Sequence, residues 1–406
     1  MLDRSERGRT TLTATVVLVL VALTAVLLTT RGTGDIGIWE RWTRNAMRLG
    51  VVDGFRANDN DYPPISNIVL WVTGQAAAAA DVPLPTAIKY SLLLFLAATL
   101  VIFFDWTRRP MLTLGLWAAM ALNAAGMGYL DIYAMPLLLL SLRELQEGEG
   151  SQALGWFCAA CLVKWQPAVI GPFVALHLAL SLGPIAPRRW RAYVRMAVPA
   201  LVLAGLAVLV FHPYPMFRAF AKSLGHRILS GDTLNLAWVG TWILQGVNSG
   251  ISGLTSQVAS LPNGPVVWRL AFKIIFACQF AWLLYRFYKG PVRFERTLAY
   301  SCVGFLAYVA LSSGVHENHW FVPSVLAIAL VPFRADWRAP AIAVAIISNV
   351  NLLLFYGWNG RGLEMSRVVG IDVSVPIAAL CVAAYVWILK VLIRLDAEGW
   401  KEPATR

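Results

Sequence analysis

Apolar residues run along this chain in blocks, several of them near the length that crosses a bilayer core, separated by short polar stretches. The blocks predict membrane-spanning helices near 11–30, 88–104, 111–127, 130–143, 153–164, 167–182, 196–211, 268–286, 298–312, 320–333, 339–356 and 374–393. The stretch 63–80 (PPISNIVLWVTGQAAAAA) is also fairly apolar, but Pro63, Asn67, Gly74 and Gln75 interrupt it. It reads as a helix lying on or dipping into the membrane surface; counting it as a span would invert every later loop. Before it, Ile38, Trp42, Ala46 and Leu49 recur at helical spacing with Arg41, Arg44, Asn45 and Arg48 between them, the pattern of an amphipathic interfacial helix.

Loop charge orients these elements. Twelve spans gather WTRRP, PRRWRAYVR, RFYKGPVRFER and FRADWR on one side in short loops, with both termini. Short basic loops mark the cytosolic side. The other side then holds two long loops, roughly 31–87 and 212–267, and short ones near 128, 165, 313–319 and 357–373. Residues 11–30 are long for a cleavable leader and follow Arg4, Arg7 and Arg9, so a signal-anchor helix with a cytosolic N-terminus is expected. No internal repeat divides the chain into two halves, and 1–406 reads as one transmembrane catalytic domain.

Composition agrees. Of 406 residues, 58% are hydrophobic and 14% charged, with a mean hydropathy of +0.63, which excludes an ordinary soluble or disordered chain. The fold class is therefore all-α and polytopic. A net charge of +12 in a soluble domain would suggest nucleic acid; here it reads as topology signals and partners for lipid phosphates, with no nucleic-acid partner. The five cysteines, including the Cys158–Cys161 pair, lie in apolar runs and read as buried small residues. The 17 tryptophans, many at predicted span ends, read mainly as an aromatic belt.

Charged residues at the membrane edge are costly, so those present call for a function. They are Asp35; the run Asn58–Asp59–Asn60–Asp61–Tyr62–Pro63–Pro64; Asp131; Lys164; Arg218, Lys222, His226, Arg227 and Asp232; and the run Gly314 to His319. The topology places all of them on the outer side. Each also has a structural reading. Asp35 could cap the helix that follows. The Pro pair could start a helix. Asp131 and Lys164 could form a buried ion pair. His316-x-x-His319 could hold a metal, but HENH is not HExxH and follows a glycine, so no metal is expected. The basic residues at 218–227 alternate with Phe217, Phe220 and Leu224, a pattern suited to an anionic lipid head group.

GDIGIWERW, followed about 26 residues later by DYPPISN, resembles the start of the endoplasmic-reticulum glucosyltransferases of the N-glycan pathway. Those have an acidic residue and a Trp after the first span, then Leu-Asp-Tyr-Pro-Pro-Leu. GYLDIYAMPLLL resembles that family's DHGHFQYN block, with Tyr133 matching and Asp131 where Gln is usual. LVKWQPAVIGP resembles its FKQMALYYAP block through Lys164 and Pro172. SSGVHENHWFVPSVLAI resembles its HVHEKA block through His316 and Glu317, with Asn318 where Lys is expected, and also the MHERYLFP block of bacterial proteins similar to the GPI mannosyltransferases. Both groups belong to the GT-C superfamily.

The resemblance implies transfer of one hexose, glucose or mannose, from a polyprenyl-phosphate-hexose donor lipid to an acceptor hydroxyl on a glycan, glycolipid or protein. Asp35, on a Gly-flanked loop near the membrane, is the expected base, and the reaction is expected to invert the anomeric centre. The lipid phosphate needs cations or donors: Lys164, Arg218, Lys222, His226 and Arg227, with His319 and the family-implied pair His316 and Glu317. Asp61, Tyr62 and Asp131 are expected to shape the acceptor side or its loop. No cofactor is called for, and no nucleotide-binding fingerprint or GK[ST] loop is present. Ala-, Val-, Leu- and Arg-rich composition suggests a GC-rich bacterium, hence a plasma membrane with an extracytoplasmic site. A lipid-linked-glycan transporter or flippase, or a glycan ligase or polymerase, are the competing classes.

Overall fold

A computed structural model describes residues 4–183, 189–249, 258–360, 362 and 372–400. Arg188, residues 250–257 of the second long loop and most of the loop expected at 357–373 lie outside the described residues. The chain is all-helical, 81% helix in 17 α-helices among the described residues, with one two-residue strand pair.

The first half runs α1 (Arg4–Leu28), α2 (Asp35–Leu49), α3 (Val51–Ala57), α4 (Pro64–Ala79), α5 (Leu84–Thr107), α6 (Pro110–Ala121), α7 (Met135–Glu147), α8 (Gly150–Val163) and α9 (Gly171–Ser181). The second runs α10 (Trp190–Phe211), α11 (Pro213–Leu224), β1 (Ser230–Gly231), α12 (Leu236–Ser249), α13 (Val266–Lys289), α14 (Phe294–Leu311), β2 (Val315–His316), α15 (Phe321–Leu330), α16 (Arg338–Tyr356) and α17 (Ser374–Ala397).

Six helical segments are long and apolar enough to cross a membrane: Leu84–Thr107, Pro110–Met127, Trp190–Phe211, Val266–Lys289, Ala335–Tyr356 and Ser374–Ala397. They match six of the expected spans. They carry exposed apolar faces, with Leu94, Leu201, Leu209, Val267 and Leu380 uncovered. Water would penalise such faces and lipid does not, so this is a membrane protein. The other expected spans are built differently. Residues 130–143 and 167–182 each begin as a 3-10 turn before α7 and α9. Helix α15 has 10 residues, all buried; at 1.5 Å per residue it is about 15 Å long. With α14, buried along nearly its whole length, it forms the centre of the core.

The connections gather at two ends. At one end, Arg143 pairs with Asp105, Trp106 packs on Phe294 and Phe333, and Arg293 donates to the carbonyl of Trp400. Arg296, fully buried, meets Asp396 at 2.7 Å and the carbonyls of Phe287 and Arg286, tying α13, α14 and α17 together. These are the basic loops. The opposite end holds the chain around Asp35, Tyr62, Lys164, His226 and His316. Both ends of α4 stay there. Pro63 and Pro64 follow Tyr62, and Lys89, early in α5, donates to the carbonyls of Leu27, Leu28 and Thr30 at and just beyond the end of α1.

Pro64 occupies the first position of α4, where its missing N–H costs nothing. The stripe that α2 buries differs from the expected one. Ile36, Trp39, Trp42, Thr43 and Ala46 are covered, while Leu49 stands exposed. The stripe rotates because α4 covers one side and Trp39 donates its indole N–H to the carbonyl of Gly128 at 3.0 Å. Helix α3 approaches α2 at Gly54, where a Cβ would fall 2.5 Å from Ala46 Cα. Backbone cannot yield as a side chain does, so Gly54→Ala is expected to destabilise the protein by about 1–3 kcal/mol. The check is the thermal midpoint in detergent against Gly37→Ala, whose added methyl meets nothing within 4 Å. Equal midpoints would remove the close approach from the account.

Candidate functional site

A cavity of about 1040 Å³ opens at the end opposite the basic loops. Nine of the predicted residues line it: Asp35, Asp61, Tyr62, Lys164, Lys222, His226, His316, Glu317 and His319. Asp232, Tyr308, Tyr356, Asn318 and Trp165 join them.

Asp35 is placed by an interlock of two loops. Thr33 N–H donates to the carbonyl of Met127 at 3.0 Å, and Thr30 Oγ1 to that of Gly126 at 2.7 Å. Gly32 and Gly128 both have positive φ, and a Cβ on either would strike Ile36 Cδ1 at 2.6 Å. Asp35 is the first residue of α2, with Gly34 at the cap and no side-chain capping bond. Its carboxylate is thus not spent on the helix end. Burial pushes its pKa up to about 6, opposed by Lys164 and assisted by Asp61 and Asp131.

Lys164 joins three distant motifs. Its ammonium stands 3.1 Å from Asp131 Oδ1 and donates to the Tyr62 hydroxyl. Asp131 Oδ2 accepts from Asn318 Nδ2 at 2.9 Å. Asp131 is almost wholly buried and does not line the cavity; it holds Lys164 and the 315–320 turn in place. The buried ion pair therefore exists, and Lys164 still faces the cavity. Tyr62 also packs edge-on against Trp39 and Trp42, with ring centroids 5.1 and 5.7 Å away.

One wall is rich in cations and imidazoles. Lys222, on α11, pairs with Asp59 at 2.7 Å, and His226 Nε2 lies 3.5 Å from Asp61 Oδ2. Burial favours a protonated Asp61 carboxyl, but the His226 hydrogen bond and Lys164 outweigh it and hold its pKa below the usual value. The His226 and His316 rings meet at 4.6 Å, and His316 and His319 at 5.8 Å. Burial, then His226, lowers the His316 pKa to about 4, and burial, then His316, lowers that of His319 well below the usual imidazole value. Both imidazoles are neutral at pH 7. Arg218 and Arg227 do not reach the cavity. Arg218 donates to the carbonyls of Arg56 and Asn58, fastening α11 over the loop before Asp61.

A second wall is acidic and phenolic. The parallel β1–β2 pair sets Gly231 opposite His316 and so brings Asp232 beside Glu317. Tyr129 donates to Glu317 Oε1 at 2.5 Å, and Tyr356 to Asp232 Oδ2 at 3.3 Å. Burial raises the Glu317 pKa to about 8, against the Tyr129 hydrogen bond. Asp232 was visible in the sequence as the lone acid of a basic outer segment. Tyr129 and Tyr356 carried no signal beyond a tyrosine at a span end. A third wall, apolar, is one face of α13: Phe276, Ala277, Phe280, Ala281 and Leu284.

Asp59 and Asp61 stand two apart, as metal-holding aspartates do, but each is paired with a cationic or imidazole side chain. Among the described residues no three His, Cys, Asp or Glu side chains converge as a metal set. Compared with known proteins, the chain matches no family model and no curated sequence.

Proposed function

We propose that this chain is a GT-C-type membrane glycosyltransferase that moves one hexose from a polyprenyl-phosphate-hexose to an acceptor hydroxyl. One observation carries the reading. Of the five carboxylates lining the cavity, Asp35 alone receives no side-chain hydrogen bond or ion pair among the described residues. It faces a wall of cations, and that wall adjoins an apolar helix face. A lipid phosphate sugar has those three parts: a reacting carbon, an anionic phosphate and a hydrocarbon tail.

In this reaction Asp35 takes the acceptor hydroxyl proton as that oxygen bonds to the anomeric carbon. The bond from that carbon to the phosphate oxygen breaks, and its electron pair leaves with the lipid phosphate. Attack opposite the leaving group inverts the centre. Lys164, Lys222 and His226 meet the phosphate charge; His316 and His319 supply neutral N–H donors. The α13 face takes the start of the polyprenyl chain. The reading keeps twelve crossings of a bacterial plasma membrane with cytosolic termini; the gathering of basic loops at the far end supports its orientation, with the cavity extracytoplasmic.

The test supplies purified protein in nanodiscs with radiolabelled polyprenyl-phosphate-glucose or polyprenyl-phosphate-mannose and a membrane-lipid extract as acceptor. One donor is expected to lose its sugar. The rate should be lost as pH falls through about 6, where Asp35 becomes protonated and cannot accept a proton. It should be lost again above about 8, where Glu317 ionises and no longer donates a hydrogen bond into the cavity. If neither donor turns over while the protein binds lipid phosphate, the transporter and the ligase or polymerase classes take its place.

A further inference from the structure

Asp35, Asp232, Glu317 and Tyr356 line the cavity together, and the His316 ring, 3.9 Å from Glu317 Oε2, joins this wall to the cationic one. We propose that Asp232, Tyr356 and Glu317, the last held from behind by the buried Tyr129, form a separate binding subsite for the hydroxyls of an uncharged saccharide, which is the acceptor of the transfer. The acceptor role rests on the glycosyltransferase reading; the subsite itself does not.

Three observations place a ligand there. First, Glu317 is 7% exposed yet lines the cavity, and its Oε2 receives no hydrogen bond, the His316 ring being 3.9 Å away. A carboxyl removed from water with one oxygen unused is costly unless something enters to meet it. Second, Asp232 is aimed by its backbone. It sits at φ 51 in the left-handed region. Asn351 fixes it there, donating Nδ2 to the carbonyls of Asp232 and of Glu317, each at 3.2 Å, while its Oδ1 accepts from Leu234 N–H at 2.7 Å. One side chain thereby locks both acids to each other. Third, among the described residues no lysine or arginine pairs with either acid. Neither acid thus offers an anionic phosphate a counter-charge, whereas Lys164 and Lys222 do on the cationic wall.

The chemistry of the wall names the ligand class. A carboxylate can accept two hydrogen bonds from adjacent hydroxyls of one sugar ring. The Tyr356 phenol donates or accepts as a hydroxyl requires, while Tyr129 behind the wall holds Glu317 in place. Glu317, protonated at neutral pH, adds a donor. Asp35 lines the same cavity, so an acceptor hydroxyl held here can be offered to its carboxylate.

The test is a pair of binding titrations on the full-length protein in nanodiscs, followed by intrinsic tryptophan fluorescence. The probes are a soluble neutral disaccharide, methyl mannobioside or methyl glucobioside, and farnesyl phosphate. Asp232→Asn keeps the size, and Asn tolerates the left-handed backbone. It and Tyr356→Phe are expected to raise the disaccharide Kd about tenfold or more, and to leave the farnesyl phosphate Kd unchanged. Lys222→Gln is expected to do the reverse. Failure of the wild type to bind either disaccharide overturns the subsite. So does equal binding by Asp232→Asn, or a variant that weakens both probes alike. The transfer reading fails on a different result, no turnover of either polyprenyl-phosphate-hexose, with disaccharide binding intact.

Discussion

Asp35→Asn is expected to lower the hexose-transfer rate by about 10²- to 10⁴-fold, the loss typical of removing a general base. The substitution keeps the size and polarity of the side chain, so the cavity keeps its shape. Asn cannot accept a proton at any useful pH. Because Asp35 makes no capping bond and, among the described residues, no ion pair, its loss should leave folding and donor binding nearly intact. The expected signature is a fall in kcat with little change in KM for the donor, read from initial rates across donor concentration. The low-pH limb near 6 should vanish from whatever activity remains, since that limb belongs to Asp35. Retained activity with an unchanged limb would move the base to another carboxylate. Asp61 is then next, because its His226 partner could take up the proton; Asp131, sealed against Lys164 and Asn318, is too far inside to serve.

The second large effect is on stability. Asp131→Ala leaves the buried Lys164 ammonium without its counter-charge, and breaking such a pair costs about 3–5 kcal/mol. The Tyr62 hydroxyl still accepts from Lys164 but carries no charge to offset it. The double variant Asp131→Ala with Lys164→Met removes both charges and should recover a large part of the loss. Thermal midpoints of the two variants and the wild type, in one detergent, check this. The double variant falling as far as the single one would mean that the pair is not coupled. Its activity should stay low even where stability returns, because the Lys164 ammonium faces the phosphate end of the cavity. Recovery of fold without recovery of transfer would separate the two jobs of one lysine.

What could be read along the chain is what depends on neighbours in sequence. Six segments long and apolar enough to cross a membrane enclose expected spans, because length and hydropathy are local properties. The helix start at Pro64 was likewise legible, since a Pro pair after an extended residue leaves the backbone few choices. So were the candidate residues as a class: charges at a membrane edge are expensive enough to stand out one at a time. The pairing of Asp131 with Lys164 was an open alternative, and the structure joins it to the cavity wall rather than choosing between the two roles.

What tertiary structure alone decided is which of those residues meet. Lys164 is 102 positions from Tyr62, and Tyr129 is 188 from Glu317. No periodicity carries contacts of that range. The buried stripe of α2 turned toward Trp39 because a carbonyl of a distant loop takes its indole N–H. Tyr356 became a wall of the cavity because the β1–β2 pair delivers Asp232 to it, and a tyrosine at a span end otherwise looks like any interfacial anchor. Arg218 looked like a phosphate ligand by charge and spacing, yet its guanidinium is occupied by two carbonyls of the loop before Asp61. By itself the sequence determined a helical membrane protein with a cluster of costly polar groups. The division of that cluster into a cationic wall, an acidic wall and an Asp35 without a side-chain partner among the described residues is a matter of distances, and distances exist only once the helices have packed.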